Sequence, residues 1–173
     1  MSADEATLGS VKRIPVDELS PMVGNPRRGQ VEVIADSLRV NGQYKPIVVN
    51  AGTVTGRSNE VLAGNHTLIA ARSLGWTHLD CFVVDVDEDA GKRIVAVDNR
   101  SSDLGTYDSE ALLELLNSLD DLDGTGYSDN DLTALITATE DPTSPEDFPS
   151  FDEDLQTEYK CPKCSYEWSG KSK

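Results

Sequence analysis

Two short stretches of this 173-residue chain combine residue types and spacings that could do chemistry. The first is Gly64-Asn65-His66-Thr67, set between the apolar run Glu60-Val61-Leu62-Ala63 and the Ala/Leu-rich stretch Leu68-Ile69-Ala70-Ala71-Arg72-Ser73-Leu74. The run reads as a strand, Gly64 as a sharp turn, and the rest as a helix. Such a junction aims the first free N–H groups of the helix, and the positive end of its dipole, at whatever lies above the turn. That geometry suits a phosphate. The plain alternative is a buried helix that begins after a glycine. The second stretch is Cys161-Pro162-Lys163-Cys164, flanked by Tyr159, Tyr166 and Trp168. The C-x-x-C spacing is that of one zinc knuckle, which supplies two of the four ligands a closed Zn²⁺ site takes. Beyond this pair the chain offers only Cys81, His66 and His78, and three cysteines cannot make an intrachain Cys₄ site. Three readings stay open for the pair. A second copy completes a shared Zn²⁺ site and closes a homodimer, a partner protein completes it, or the tail binds no metal.

The elements that must position these residues follow from periodicity and punctuation. Val11–Ile14 is expected as a first strand, closed by Pro15, and Ser20–Gly29, with two Pro and two Gly, as a loop. Ile34, Ala35 and Leu38 recur at helical spacing over Gln30–Asn41, and Asn41-Gly42 stops that helix. Ile47–Val49 is expected as a buried strand, Asn50–Asn59 as a turn or hairpin loop, Asn65–Leu74 as a helix capped by Gly75, and Cys81–Val84 as a strand. From Glu88 the period turns helical. One helix carries Ala90, Ile94, Val95 and Val97 and ends near Asn99. A second, N-capped by Asp108, presents Ala111, Leu112, Leu115, Leu116 and Leu119. After a break at Gly124–Gly126, Ser128 caps a third with Leu132, Leu135 and Ile136. Strand–helix alternation followed by helices predicts an α+β body with a helical appendage.

Four segments follow one another in a recognisable order: Leu19-Ser20-Pro21-Met22-Val23-Gly24-Asn25-Pro26-Arg27-Arg28; Gln43-Tyr44-Lys45-Pro46-Ile47-Val48-Val49; the Gly64–Thr67 turn; and Asp98-Asn99-Arg100 with Asp103-Leu104. Over residues 11–105 this order resembles the N-terminal domain of the ParB/sulfiredoxin superfamily. That family shows an Asn-Pro-x-x-Arg-like loop, a Gly-x-x-x-Pro-Ile-x-Val strand entry, a Gly-Glu-Arg-Arg or Gly-Cys-His-Arg turn opening an Ala-Ala helix, and a Glu-Asn-x-x-Arg segment. The resemblance implies a compact α+β domain over residues 8–105, with a small mixed sheet and flanking helices. Beyond it are expected an acidic helical extension (106–138), an acidic flexible linker (139–158) and the C-x-x-C tail (159–173).

The resemblance also implies a nucleotide, CTP in ParB proteins and ATP in sulfiredoxins. Carried over by position, Gly64, Asn65, His66 and Thr67 line its phosphates, and the Asn25-Pro26-Arg27-Arg28 loop, part of the same site through Asn25, Arg27 and Arg28, adds the guanidinium donors of its two arginines, which suit phosphate oxygens. Asp98 helps hold Mg²⁺ against the phosphates, Asn99 bonds a phosphate and Arg100 pairs with one. The alternative for the last three is a helix end whose polar residues face water. The chain departs from the family at telling places. Asn65 stands where sulfiredoxins carry their cysteine, so there is no thiol to attack an oxidised peroxiredoxin. Gly-Asn-His-Thr carries two fewer cations than Gly-Glu-Arg-Arg. The helices that follow are too few and too acidic for the helix-turn-helix of a chromosome-segregation clamp. Relatives with an Asp-Asn-Arg segment, a Leu-rich acidic helix and a Gly-Tyr-Ser-Asp-like turn carry the label of ParB-like nuclease domains, and likeness to them implies a phage or mobile-element origin. Nuclease chemistry needs paired carboxylates on a metal, here Asp98 and Asp103, or a general base such as His66. The i,i+5 spacing of the two aspartates keeps them off a common helix face.

Charge narrows the partners. The net charge is −16, but residues 1–100 hold 11 Lys/Arg against 13 Asp/Glu, while residues 101–159 hold 17 Asp/Glu and no Lys or Arg. A broad grip on duplex DNA needs a basic face, which only Arg27, Arg28, Arg57 and Arg72 could supply, so DNA contact is expected to be weak or indirect. No apolar run approaches the ~20 residues that span a bilayer. The acidic start, Met1–Glu5, lacks the apolar stretch of a secretory signal, and the cysteines form no disulfide framework. A cytoplasmic location is expected, in a bacterial host if the gene is phage-borne. The leading function is a nucleotide-binding protein, using CTP or ATP with Mg²⁺, that acts as a slow NTPase switch in a DNA-linked process. The alternatives are a metal-dependent nuclease using Asp98 and His66, and a non-enzymatic adaptor whose acidic block mimics nucleic acid.

Overall fold

In the first hundred residues the β-branched runs find each other as one five-stranded mixed sheet, seen in a computed structural model that describes residues 9–139 and 159–169. The strands are β1 (Ser10–Pro15), β2 (Ser20–Pro21), β3 (Ile47–Asn50), β4 (Glu60–Ala63) and β5 (His78–Val84), in the order β1-β5-β3-β4-β2. β1 runs antiparallel to β5, β5 parallel to β3, β3 antiparallel to β4, and β4 parallel to β2. The central strands bury Val49 and Val61 completely. The expected α+β class with a small mixed sheet is what the chain forms.

Three boundaries differ from the local reading. Ser20–Pro21, expected as loop, is recruited as β2 by the free edge of β4, an edge position being where a residue without an N–H does no harm. β5 starts at His78 rather than Cys81, because antiparallel pairing with β1 extends it. The helix expected to end near Asn99 runs on to Leu104. No glycine or proline lies between Asn99 and Gly105 to stop it, and the hydroxyls of Ser101 and Ser102 bond back to the Asp98 carbonyl, each at 3.2 Å.

The helices are α1 (Val31–Asn41), α2 (Asn65–Ser73), α3 (Glu88–Leu104), α4 (Ser109–Asn117) and α5 (Asp129–Thr139). Small residues let α1 and α2 pack closely over the sheet. Ala35 and Leu38 meet Leu68, Ala70 and Ala71 in one core with Ile14, Leu79 and Cys81. Arg72, which the sequence offered to a basic face, instead donates from Nη2 to the carbonyls of Val16 (3.1 Å) and Leu19 (2.7 Å) and pins the β1–β2 connection. Asp87, Asp108 and Ser128 cap their helices. The two carboxylates accept from Ala90 and Ala111 N–H, and Ser128 exchanges bonds with Asp131. The loop between α4 and α5 returns to α1, where the Gly124 carbonyl accepts from Asn41 Nδ2 at 3.1 Å.

Residues 1–139 form one unit and 140–173 a second. In the second, β6 (Tyr159–Lys160) and β7 (Glu167–Trp168) make an antiparallel hairpin around the C-x-x-C segment. The expected linker lies outside the described residues except for Thr139, the last residue of α5. Among the described residues no helix is long and apolar enough to cross a membrane.

Candidate functional site

The junction of β4 and α2 is built around Gly64, whose φ is +95°, in the left-handed region. A Cβ there would lie 2.4 Å from Cγ2 of Ile47 on β3, so only glycine allows this turn against the neighbouring strand. The first backbone bond of α2 runs from Leu68 N–H to the Gly64 carbonyl at 3.0 Å. The N–H groups of Asn65, His66 and Thr67 therefore have no carbonyl within the helix to bond. They sit beside a cleft of about 540 Å³, within the range that takes a small-molecule ligand.

The cleft gathers most of the residues singled out by sequence. Asn25, Arg27, Gly64, Asn65, His66, Thr67, Asp98 and Asn99 all line it. Arg28 and Arg100 are exposed but do not line it, and Cys161 and Cys164 belong to the other unit. Asp98 is the one acidic side chain in the lining among the described residues. A single carboxylate fits Mg²⁺, which completes its octahedron with ligand oxygens and water.

Several of these side chains are already committed to the scaffold. Asn65 is buried; its Oδ1 accepts from Met22 N–H at 2.9 Å and its Nδ2 donates to the Val61 carbonyl at 3.1 Å. It ties the β2 exit to β4 and offers the cleft its backbone rather than its amide. Arg27 Nη1 donates to the Asn99 carbonyl (3.0 Å) and to Asp103 Oδ1 (3.1 Å), clipping the β2–α1 loop onto α3. Asp103 thus pairs with Arg27 rather than with Asp98. Asn25 Oδ1 accepts from Arg27 N–H at 3.1 Å and shapes the same loop. His66 Nε2 accepts from Gly29 N–H at 2.8 Å. That bond requires an unprotonated Nε2, so the neutral ring carries its proton on Nδ1 and is set up as a donor.

The cleft also holds residues that the sequence reading did not assign to a site. Lys45 and Tyr44 line it, the Lys45 ammonium 5.9 Å from the Tyr44 ring centroid. Lys45 restores a cation of the kind the turn lacks. It was legible only as part of the Lys-Pro-Ile strand entry. Gln43 braces this segment, its Nε2 donating to the carbonyls of Asp80 (2.8 Å) and Lys45 (3.2 Å) while its Oε1 accepts from Asp80 N–H at 2.8 Å. Ser102 on α3 and Thr125 from the α4–α5 loop complete the wall. The helical extension therefore takes part in the site.

The three cysteines differ sharply. Burial, with the Asp80 charge second, pushes the Cys81 thiol up to about 11. The Cys161 thiol lies below its ordinary value, because its sulfur accepts the backbone N–H of Cys164 and then of Lys163.

Comparison with known proteins places this architecture. The ParB N-terminal domain family matches residues 1–100. The probable plasmid-partitioning protein ParB of Thermus thermophilus is 33% identical over 101 residues, which are 57% of this chain and 33% of that protein, so the chain spans about a third of its relative's length. The C-terminally truncated chromosome-partitioning protein ParB from Caulobacter crescentus, in complex with CTP-γ-S, shares the fold at TM-score 0.52 and 21% identity, over 74% of this chain and 71% of its own. Sulfiredoxin from Arabidopsis thaliana matches at TM-score 0.41 and 20% identity, over 50% of this chain and 97% of its own. With the family pattern running through more than half of its length and the turn, loop and helix of that pattern meeting at one cleft, the chain belongs to the ParB N-terminal domain family.

Proposed function

We propose that the cleft binds a nucleoside triphosphate with Mg²⁺, CTP ahead of ATP, and that this binding serves as a switch in a DNA-linked process of the bacterial cytoplasm. One observation carries the proposal. Three backbone N–H groups without helical partners at the start of α2 share a cleft of ligand size with Lys45, His66 and Asp98. The N–H groups and the helix dipole favour phosphate oxygens, and Lys45 adds a mobile charge. His66 donates from Nδ1, and Asp98 with phosphate oxygens holds the metal. CTP is ranked first because the Caulobacter ParB was crystallised with CTP-γ-S. Arg27 lines the cleft while its Nη1 is held by Asp103 and the Asn99 carbonyl, so those contacts compete with a phosphate for its guanidinium. Turnover is expected to be slow, since His66 cannot take a proton from water at Nε2 without releasing Gly29. DNA contact remains weak or indirect on this reading, because the net charge of −16 opposes a polyanion.

Calorimetric titration with CTP, ATP, GTP and UTP, each with and without Mg²⁺, tests the proposal. One nucleotide should bind, require Mg²⁺, and lose its binding with Gly64→Val, while Asp98→Ala should remove the metal dependence. Failure of all four to bind would sink it.

A further inference from the structure

Tyr44 lines the same cleft as the start of α2, yet it is 73% exposed and stacks on no other ring among the described residues. Its ring instead lies under the Lys45 ammonium, 5.9 Å from the centroid. An exposed tyrosine on a free loop would need no explanation. This one is held from both sides. Before it, the Gln43 amide bonds the backbone of Asp80 on β5 twice, Nε2 donating to the carbonyl and Oε1 accepting from the N–H, each at 2.8 Å. The same Nε2 reaches across Tyr44 to the Lys45 carbonyl at 3.2 Å. After it, Pro46 narrows the backbone choices of Lys45. A flat ring held this way at a cleft is preorganised for a flat partner, since its backbone has little freedom left to lose on binding.

The distance from the phosphate end suits a nucleotide. Ile47 abuts the turn, its Cγ2 2.4 Å from where a Cβ on Gly64 would lie. Tyr44 precedes Ile47 by three residues, so the two Cα atoms are at most about 10 Å apart. A base joined to its phosphates through one ribose stands at a comparable remove from them. Val33 and Ile34 of α1 add apolar lining to the cleft, which suits the face of a base rather than a further phosphate. We infer that Tyr44 is the platform on which the base of the bound nucleotide stacks, and that Lys45 exchanges the Tyr44 ring for the phosphates as the base arrives. The inference rests on the nucleotide reading of the cleft and adds the residue that holds the base. Phosphate oxygens attract an ammonium more strongly than a ring quadrupole does, so they draw Lys45 from the ring. The ring face it leaves is then open to the base. Charge at one end of the ligand and stacking at the other are linked through two adjacent residues, and every base has a π-face to offer.

The test separates the base from the phosphates. The full chain is titrated in a calorimeter with CTP, ATP, GTP and UTP, and with inorganic tripolyphosphate, which carries phosphates and no base, all with Mg²⁺. Tyr44→Ala should weaken the tightest of the four nucleotides by roughly ten- to hundredfold and leave tripolyphosphate as it is in the parent. Tyr44→Phe, which keeps the ring and drops the hydroxyl, should bind like the parent. Lys45→Gln should weaken nucleotide and tripolyphosphate alike. Because Tyr44 is exposed, an unchanged melting temperature is expected for both Tyr44 variants. Parental nucleotide affinity in Tyr44→Ala, an equal loss in Tyr44→Phe, or an equal loss toward tripolyphosphate would each overturn the inference while leaving the nucleotide reading in place. Failure of the parent chain to bind any of the four nucleotides would overturn both.

Discussion

Gly64 and Asn65 stand side by side and fail for different reasons when replaced. Gly64→Ala must hold a Cβ at φ +95° and push it to 2.4 Å from Ile47 Cγ2. Left-handed strain and overpacking together predict a loss of about 2–4 kcal/mol, read as a lower urea midpoint. Asn65→Leu keeps the volume but strands the Met22 N–H and the Val61 carbonyl, which predicts a loss of about 1–3 kcal/mol in the same assay. Cys81 gives a pH signature. Its folded-state value of about 11 lies above the ordinary 9.0, so the folded chain keeps a proton that the unfolded chain releases. The stability this contributes is complete below pH 9.0 and is lost as pH rises toward 11. Cys81→Ala should flatten the fall in urea midpoint across that window relative to the parent chain. These residues also mark the limits of local reading. The turn glycine was legible because its neighbours in sequence announce it, whereas the burial of Asn65 was not, since its partner Met22 lies 43 residues away.

At the scale of elements, the β2–α1 loop is held to the rest of the site by three contacts, Met22 to Asn65 on α2, Arg27 to α3 and Gly29 to His66 on α2. The Arg27–Asp103 pair is exposed on both sides, 39% and 57%, so its loss costs no more than about 1 kcal/mol of stability. Its effect should appear in binding. Asp103→Asn releases the guanidinium toward the phosphates and is expected to tighten nucleotide binding in calorimetry, while Arg27→Ala weakens it. If both leave affinity unchanged, Arg27 is a clip and nothing more. The α4–α5 loop meets α1 in the same constrained way: a Cβ on Gly126, at φ +84°, would lie 2.9 Å from Cγ1 of Val33. Gly126→Ala should therefore loosen the wall that carries Thr125, seen as faster hydrogen exchange in residues 122–127. The helix starts at Asp108 and Ser128 were readable from the caps alone. The end of α3 was not, because no stop residue marks Asn99, and the docking of Thr125 depends on a contact with α1 far away in sequence.

For the whole molecule, charge and unit structure set the expectations. A chain with a net charge of −16 repels itself, and added salt screens that repulsion, so the melting temperature of the full chain should rise with ionic strength. The division between residues 1–139 and 140–173 predicts that ending the chain after Thr139 leaves the main calorimetric transition in place. A shift of that transition by many degrees would show that the two units depend on each other for stability.

What the sequence by itself determined is what rests on neighbours within a turn or so: the strand–Gly64–helix junction, the Asp108 and Ser128 caps, the apolar faces of the helices, the tight C-x-x-C segment and the order of motifs that marks the family. These follow from φ preferences, capping bonds and hydrophobic periods, which act over a few residues. Only the tertiary structure decided which of the charged and polar side chains stay free. Asn65 and Arg27 are candidates for a phosphate in sequence and Arg72 for a basic face, yet Asn65 bonds Met22 N–H 43 residues away, Arg72 the Val16 carbonyl 56 residues away and Arg27 the Asp103 carboxylate 76 residues away, while Lys45 is left at the cleft. The physical reason is that a polar group's partner is set by the order in which strands pair in the sheet, and that order is a property of the whole fold.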